Sequence, residues 1–192
     1  TTRTITGNSA NNVITLGDIT AAKTVNLTSG GSDTVKVDAA GTGSAAVTIQ
    51  GFQAGALASG GDVLSLSYTA ATSGFVNVAA ATSGNITAGG AAAVADITNV
   101  IGLSNAALQI SGAFTNAAVT QALTQAALVA TDTNFYYVAL DNGADTAIYR
   151  FQFADAGANG ILNVASEVTN LQQVVVLTGV ADVGTLTAAN FA

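Results

Sequence analysis

The feature that most constrains this chain is a series of short alternating segments in its first third. Each segment places a β-branched or leucine residue at every second position, which is the period of a half-buried β-strand. Clusters of Gly, Asn, Ser and Asp, residues that favour turns, separate the segments. The five predicted strands are Val13–Leu16, Thr24–Leu27, Thr34–Val37, Val47–Gln50 and Val63–Ser67. This pattern predicts a mainly β fold.

The spacing of these strands leaves two architectures open. Successive strands start 11, 10, 13 and 16 residues apart. Such spacing is typical both of the short strands of a β-roll and of a compact β-sandwich. From Tyr68 to Gly112 the chain becomes rich in Ala, Gly and Thr, which predicts an irregular connection with one or two short strands.

One segment of the second half has a helical period. Residues 116–130 place Val119 and Leu123 on one face, followed by an Ala of the next turn. Thr115 or Asn116 is suited to cap the amino end, because either side chain accepts a backbone N–H. The sequence therefore predicts one α-helix over about 116–130.

A β-hairpin is predicted after the helix. The segments Phe135–Leu140 and Thr146–Phe153 are rich in aromatic and β-branched residues, which favour strands. Between them, Asn142 and Gly143 are suited to the positive φ angles of a tight turn. The aromatic side chains of this hairpin are expected to form its packed face.

The remaining chain completes the predicted organisation. A polar loop over 154–163 is followed by one helical turn ending at Leu171 and by a buried strand, Val174–Leu177. We predict a Thr/Gly-rich β region over 1–112 and a helix, hairpin and tail over 113–192, either as two units or as one continuous domain. The chain starts at Thr1 without a signal peptide, so we expect a processed product, a fragment or a repeated unit of a longer protein.

The composition excludes several kinds of chemistry. The 192 residues include 11 acidic and 4 basic side chains, for a net charge of −7, and no His, Cys, Pro, Met or Trp. Without His and Cys there is no imidazole base, no thiol nucleophile and no ordinary zinc or iron–sulfur site, so we predict that the chain is not an enzyme. Four cations are too few to follow a phosphate backbone, and we expect no nucleic-acid partner. No apolar run is long enough for a membrane span.

Carboxylates are the remaining candidates for a site, and the first is in a turn. Asp62 follows Gly60 and Gly61 and precedes an apolar strand. A turn of this kind leaves carbonyl oxygens beside a carboxylate, and calcium prefers oxygen ligands. The alternative is a turn in which Asp62 bonds to its own backbone.

The second candidate is the loop from Asp155 to Glu167. Asp155, Asn159 and Asn163 occupy positions 1, 5 and 9, and Gly160 occupies position 6, as in an EF-hand calcium loop. Position 3 is a glycine, and the acid that an EF-hand has at position 12 falls one place later, at Glu167. The loop therefore predicts either a divalent ion held at reduced affinity or an ordinary solvated loop.

The third candidate is the tip of the hairpin. Asp141 and Asp145 are four residues apart in a five-residue turn. Two such carboxylates can hold a cation, but the ordinary chemistry of turn formation also explains them. The cofactor predicted from all three candidates is calcium.

Several stretches together resemble a known class of bacterial protein. The first part resembles the end of calcium-binding RTX-type repeats at Ile5–Asn8, Asn11–Ile14, Ile49–Phe52 and Gly61–Ser67. The last part resembles the tail of type I-secreted surface and S-layer proteins at Asp145–Phe151, Glu167, Leu177–Val180 and Leu186–Phe191.

This resemblance implies a secreted, extracellular protein of the bacterial cell surface. It implies export directed by an uncleaved C-terminal address and self-assembly into an S-layer or filament, often ordered by calcium, with a cell-surface anchor as a further expectation. The absence of Cys is typical of a bacterial extracellular protein that needs no disulfides. The leading hypothesis is a structural, self-assembling module. The alternative is an adhesin or other binding module, or the secretion domain of a larger protein.

Overall fold

The computed structural model describes residues 3–18, 21–38, 46–66, 74–77, 99–128 and 135–192. Eleven strands lie in these ranges: β1 (Arg3–Thr6), β2 (Val13–Asp18), β3 (Lys23–Asn26), β4 (Thr34–Asp38), β5 (Val47–Gln50), β6 (Val63–Leu66), β7 (Gly74–Asn77), β8 (Asn99–Gly102), β9 (Phe135–Asp141), β10 (Asp145–Phe153) and β11 (Val168–Thr178). One α-helix, α1 (Asn116–Ala126), is described with them. The mainly β fold with one helix is confirmed.

The first six strands alternate between two parallel sheets. Strands β1, β3 and β5 pair in parallel in one, here sheet A, and β2, β4 and β6 pair in parallel in the other, sheet B. Successive strands that cross from one sheet to the other while each sheet stays parallel form a β-roll. Of the two architectures that the strand spacing left open, this region has the roll.

Sheet A continues from the roll into the second half of the chain. Its order is β1-β3-β5-β11-β10-β9-β8-β7, whereas sheet B has the order β2-β4-β6. Strand β11 pairs in parallel with β5 and antiparallel with β10, so it joins the roll to the hairpin. One sheet therefore runs across the division between residues 1–112 and 113–192.

The two sheets of the roll enclose an apolar core. Every second residue of a strand points inward, and the fully buried members of this core include Val25, Val35, Ile49, Leu64 and Val175. Burial of each such side chain contributes about 1.5–3 kcal/mol. The alternation that predicted the strands is thus the alternation that fills the roll.

The hairpin of β9 and β10 is buried on both faces. Tyr149, Phe151 and Phe153 pack in one cluster with Val119 and Leu123 of α1. The opposite face of the hairpin contributes its buried residues to the core of the roll, among them Tyr137, Ala139 and Ile148. The aromatic residues therefore lie on two packed faces and not on one as predicted.

Helix α1 begins as predicted but ends earlier. The Thr115 hydroxyl accepts the Ala118 N–H at 3.2 Å, which identifies Thr115 as the amino-terminal cap. The helix ends at Ala126 and not at Ala130, because Ala127 adopts a left-handed conformation with φ of 47°. Residues 129 and 130 lie outside the described residues.

Two other features differ from the prediction, and a third agrees with it. The helical turn predicted after the polar loop is present as a 3-10 turn over Ala165–Glu167, but it ends at Glu167 and not at Leu171, because strand β11 begins at Val168. Strand β1 was not predicted. Between Tyr68 and Gly112, β7 and β8 are the two short strands expected there, while residues 68–73 and 78–98 lie outside the described ranges.

The last residues close the final turn of the roll. Phe191 bridges Leu64 of β6, and the Ala192 N–H donates to the Leu64 carbonyl at 3.2 Å. Asn190 and Phe191 are buried there. Among the helices of the described residues, none has the length and apolar character needed to cross a membrane.

Candidate metal centre

The structure places the predicted ligands in three separate regions. Asp62 lies at the start of β6 in the roll, and Asp141 and Asp145 lie at the tip of the β9–β10 hairpin. The third region is the loop between β10 and β11, which carries Asp155, Asn159, Asn163 and Glu167 at 155–167 and is called the β10–β11 loop below. Each region uses its carboxylates differently.

Asp62 is buried, and each of its carboxylate oxygens accepts a hydrogen bond from a backbone amide. The Asp33 N–H donates to Oδ1 and the Gln53 N–H donates to Oδ2, each at 2.8 Å. The Asp33 amide belongs to the preceding turn of the roll, whereas the Gln53 amide belongs to the same connection between β5 and β6 as Asp62. Asp62 therefore bonds to the backbone of its own turn, as the alternative interpretation had it, and also to that of the neighbouring turn. Its carboxylate joins neighbouring turns through the hydrogen bond from the Asp33 N–H.

The same arrangement recurs one turn earlier in the roll. Asn12, Asp33 and Asp62 directly precede β2, β4 and β6, whose strands pair in register. The Asn12 N–H donates to Asp33 Oδ1 at 2.8 Å, just as the Asp33 N–H donates to Asp62. At the outer turn, Asn8 and Asn12 close the series through two hydrogen bonds of their own. We call Asn12, Asp33 and Asp62 the turn ladder.

Burial sets the electrostatics of the turn ladder. Removal from water raises the pKa of Asp62, while the N–H donors of Asp33 and Gln53 oppose the rise and the nearby Asp33 carboxylate adds to it. Oδ2 of Asp33 is buried and has no hydrogen-bond partner among the described residues. Two acidic side chains are thus stacked in the interior at adjacent turns.

The two acids of the hairpin tip also bind backbone. Asp141 is buried and accepts the Val183 N–H at 3.1 Å and the Gln109 side-chain amide at 2.5 Å. Asp145 accepts the Gly179 N–H at 2.8 Å. These contacts attach the hairpin to the segment after β11. In the turn itself Gly143 has φ of 80° as predicted, whereas Asn142 does not have the positive φ predicted for it.

The β10–β11 loop is organised from its first residue. Asp155 accepts the Asn159 N–H at 3.1 Å through Oδ1 and the Gly160 N–H at 2.9 Å through Oδ2. Gly160 has φ of 67°, the left-handed conformation that favours glycine at the sharp turn of such a loop. The Asn159 side-chain oxygen accepts the Ile161 N–H, so its Nδ2 is directed elsewhere.

Glu167 organises the other end of this loop. Its Oε2 accepts the N–H groups of Asn163 and Val164, at 2.9 and 3.1 Å. The side chain is fully buried, and its second oxygen, Oε1, has no hydrogen-bond partner in the part of the chain that the structure describes. Asn163 therefore contributes its backbone N–H, and not its side chain, to the hydrogen bond with Glu167.

The donor set of the β10–β11 loop suits a hard cation. The loop offers carboxylate and amide oxygens, which calcium prefers, and one of the carboxylate oxygens is buried and unsatisfied. Within the described ranges, no site gathers three or more Asp, Glu, His or Cys side chains. Any cation held in the loop would therefore be bound by two carboxylates together with neutral oxygens.

Two contributors to the roll were missed by sequence reasoning. Asp33 carries the middle position of the turn ladder, and its signal was available because it directly precedes a predicted strand, as Asp62 does. Asn190 is the other: its buried amide donates to the carbonyls of Asp62 and Gly55 at 2.8 and 2.9 Å. No local pattern marks Asn190, since its partners are more than a hundred residues away.

Comparison with known proteins adds no relative to this description. No protein-family model, no curated protein and no solved structure matches the chain.

Proposed function

We propose that this chain is a structural, self-assembling module of a bacterial S-layer or surface filament, exported to the cell surface and organised by calcium. The observation that carries the proposal is the outer end of the roll. Strands β1 and β2 are the outermost strands of sheets A and B at that end, and within the described residues no strand covers their outer sides.

These two edges are suited to strand addition. An edge strand presents unpaired N–H and C=O groups that another strand can pair with. Val13 in β2 is 67% exposed, and Ile5 and Ile14 are only partly buried against the core. A second copy that added a strand to each sheet would bury this apolar surface and continue both sheets.

Composition and resemblance support the same function. The net charge of −7 keeps separate copies apart until a divalent ion reduces their repulsion. The absence of His, Cys and Met suits an inert extracellular building block. The RTX-like and S-layer-like stretches described above imply export and surface assembly.

The test is electron microscopy with light scattering, on chelated protein and again in millimolar calcium. We expect sheets or filaments in calcium. The variant Val13→Lys places a charge on the β2 edge and should prevent them, because lysine on an edge strand blocks pairing. Leu57→Lys is the matched control, since Leu57 is 49% exposed but lies in a turn of the roll outside the edges.

The outcomes test self-assembly and its dependence on calcium separately. Assembly in both samples keeps the structural function and removes calcium as its organiser. A monomer in both samples contradicts self-assembly. Equal loss of assembly in Val13→Lys and Leu57→Lys contradicts the assignment to the β2 edge.

A binding module is the second candidate, and one feature favours it. An open groove of about 350 Å³ lies between the 3-10 turn Ala106–Leu108 and α1, and its lining includes the side chains of Gln109, Gln121 and Gln125. Amide side chains of this kind both donate and accept hydrogen bonds, as a polar ligand requires. A chain that remains monomeric would therefore be assigned to the adhesin or secretion-domain alternative.

A further inference from the structure

We infer that the β10–β11 loop is a calcium site in which Glu167 Oε1 and the Asp155 carboxylate are the charged ligands. The inference deepens the calcium part of the proposed function by naming the site. It concerns binding by a single copy of the chain, so it can be tested whether or not the chain assembles.

The unsatisfied oxygen of Glu167 is the first reason. The side chain is fully buried, yet only Oε2 is hydrogen-bonded, to the amides of Asn163 and Val164. Burying a carboxylate oxygen without a partner costs free energy, and buried charges in proteins are normally paired or bound to a metal. Oε1 is therefore an oxygen that a cation would satisfy.

The direction of this oxygen is the second reason. Gly157 lies inside the loop, and a Cβ atom placed on it would be 3.7 Å from Glu167 Oε1 and 3.2 Å from Asn159 Nδ2. Oε1 thus lies inside the loop, next to the space that a side chain at Gly157 would fill. The atom of Asn159 nearest this space is its amide nitrogen, so Oε1, and not Asn159, supplies the oxygen that would bind a cation there.

Asp155 supplies the second charge from the start of the loop. Its Oδ1 accepts the Asn159 N–H and its Oδ2 accepts the Gly160 N–H, and a carboxylate oxygen can accept a hydrogen bond and bind a cation at the same time. The Ala154 N–H donates to the Glu167 carbonyl at 2.9 Å, so the chain segments that carry Asp155 and Glu167 are held side by side. The two acids therefore enter the loop from adjacent strand ends.

The carboxylates of the turn ladder are bonded differently from Glu167 of the β10–β11 loop. Asp62 has a backbone N–H on each oxygen at 2.8 Å and joins turns of the roll directly. At Asp33, Oδ2 is also buried without a hydrogen-bond partner among the described residues, and a Cβ atom on Gly31 would be 3.4 Å from Oδ1. That Cβ atom would also be 2.6 Å from the Ala10 carbonyl oxygen, so backbone already occupies the space beside Gly31. The nearest atoms to a Cβ on Gly157 are side-chain atoms, and the unsatisfied Glu167 Oε1 is among them.

The experiment is isothermal titration of calcium chloride into chelator-treated protein. We expect one saturable site with a dissociation constant on the order of 10⁻⁴–10⁻³ M, the range of extracellular calcium modules. Glu167→Gln keeps an oxygen for the Asn163 and Val164 amides but removes the charge, and should weaken binding about tenfold or more. Asp182→Asn removes the same charge at an exposed position outside the loop and should leave binding unchanged.

A second variant guards against a folding artefact. Gly157→Ala keeps both carboxylates and the net charge but fills the space beside Oε1, so it should weaken calcium binding by a similar factor. Far-ultraviolet circular dichroism checks that each variant is folded. Absence of saturable binding by the unaltered chain, or equal binding by it and a folded Gly157→Ala variant, overturns the inference. Either result leaves assembly, measured separately by microscopy, untouched.

Discussion

The roll and the hairpin belong to one sheet but are stabilised in different ways. In residues 3–66 of the roll the one aromatic residue is Phe52, and neighbouring turns are joined by the buried carboxylates of the turn ladder. The hairpin carries six aromatic residues, of which four pack in the cluster with α1 and one, Tyr137, packs in the core of the roll. The roll therefore adds polar contacts between its turns to its apolar core, whereas the hairpin is stabilised mainly by large apolar side chains.

This difference follows from geometry. Parallel strands that stack in register repeat the same turn at every level, so a short acid before each strand meets the backbone of the next turn. An antiparallel hairpin has one turn and two long strands, and cross-strand pairs of large side chains are its main means of stabilisation. The comparison predicts which substitutions should harm each region.

The largest effect is expected in the hairpin, from Phe153→Ala. Phe153 is fully buried in the cluster with α1, and removal of a buried phenyl ring costs about 3–5 kcal/mol of unfolding free energy. Urea denaturation followed by circular dichroism measures the loss. Val35→Ala, at a fully buried position of the roll, removes less apolar volume and serves as the comparison. An equal or larger loss of unfolding free energy in Val35→Ala would contradict the view that single aromatic side chains of the hairpin stabilise the fold more than single aliphatic side chains of the roll do.

The next effect tests the turn ladder, through Asp62→Ala. The variant leaves the amides of Asp33, a buried residue, and of Gln53, an exposed one, without their acceptor, which should cost about 1–3 kcal/mol of unfolding free energy. Asp145→Ala is the comparison in the hairpin, because a single N–H, that of Gly179, is described as donating to its half-buried carboxylate. If both variants lose the same free energy in urea titrations, the turn ladder has no special role in the roll.

The sequence alone predicted those elements whose signal lies in neighbouring residues. The alternation of apolar residues located five strands of the roll, and aromatic content located the hairpin. Strand β1 was missed because Ile5 is its one large apolar residue. The start of β11 was missed because the β10–β11 pairing is irregular there, with Asn170 at φ of 50° and a register shift opposite it.

The candidate sites were harder to predict, because they depend on which turns are stacked. That Asp62 is a carboxylate in a tight turn was visible from the sequence. Its partner Asp33 follows only from the pairing of β4 with β6, and its partner Gln53 follows only from the path of the connection between β5 and β6. In the β10–β11 loop the spacing suggested Asn163 as a side-chain ligand, but the structure engages its backbone N–H with Glu167. Residue type and spacing indicated the loop as a candidate site. Which atom of each residue takes part could be learned only from the folded structure.

A smaller effect concerns pH and the same ladder. Burial raises the pKa of Asp62 above its ordinary value of 3.8. A carboxyl group with a higher pKa in the folded state binds its proton more tightly there, so its contribution to stability is fully present below 3.8 and is lost as pH rises through the folded value. Lowering the pH from neutral towards that range should therefore stabilise the unaltered chain relative to Asp62→Asn.

Urea midpoints of the two proteins, measured across this range, give the pH effect as a difference. Other carboxylates titrate in both proteins and cancel in it. The expected change is smaller than the loss in Asp62→Ala, because all hydrogen bonds to Asp62 remain at neutral pH. A difference that stays constant with pH, or that changes in the opposite direction, would show that Asp62 does not bind its proton more tightly in the folded roll.

The smallest effect is expected at the amino end of α1, from Thr115→Ala. The Thr115 hydroxyl accepts the Ala118 N–H at 3.2 Å, and loss of such a cap costs about 1 kcal/mol. Thr115→Ser keeps the hydroxyl and should retain most of the stability, as measured by urea denaturation. A loss at Thr115 as large as that at Phe153 would mean that the helix, and not the aromatic strands beneath it, determines the stability of the second half.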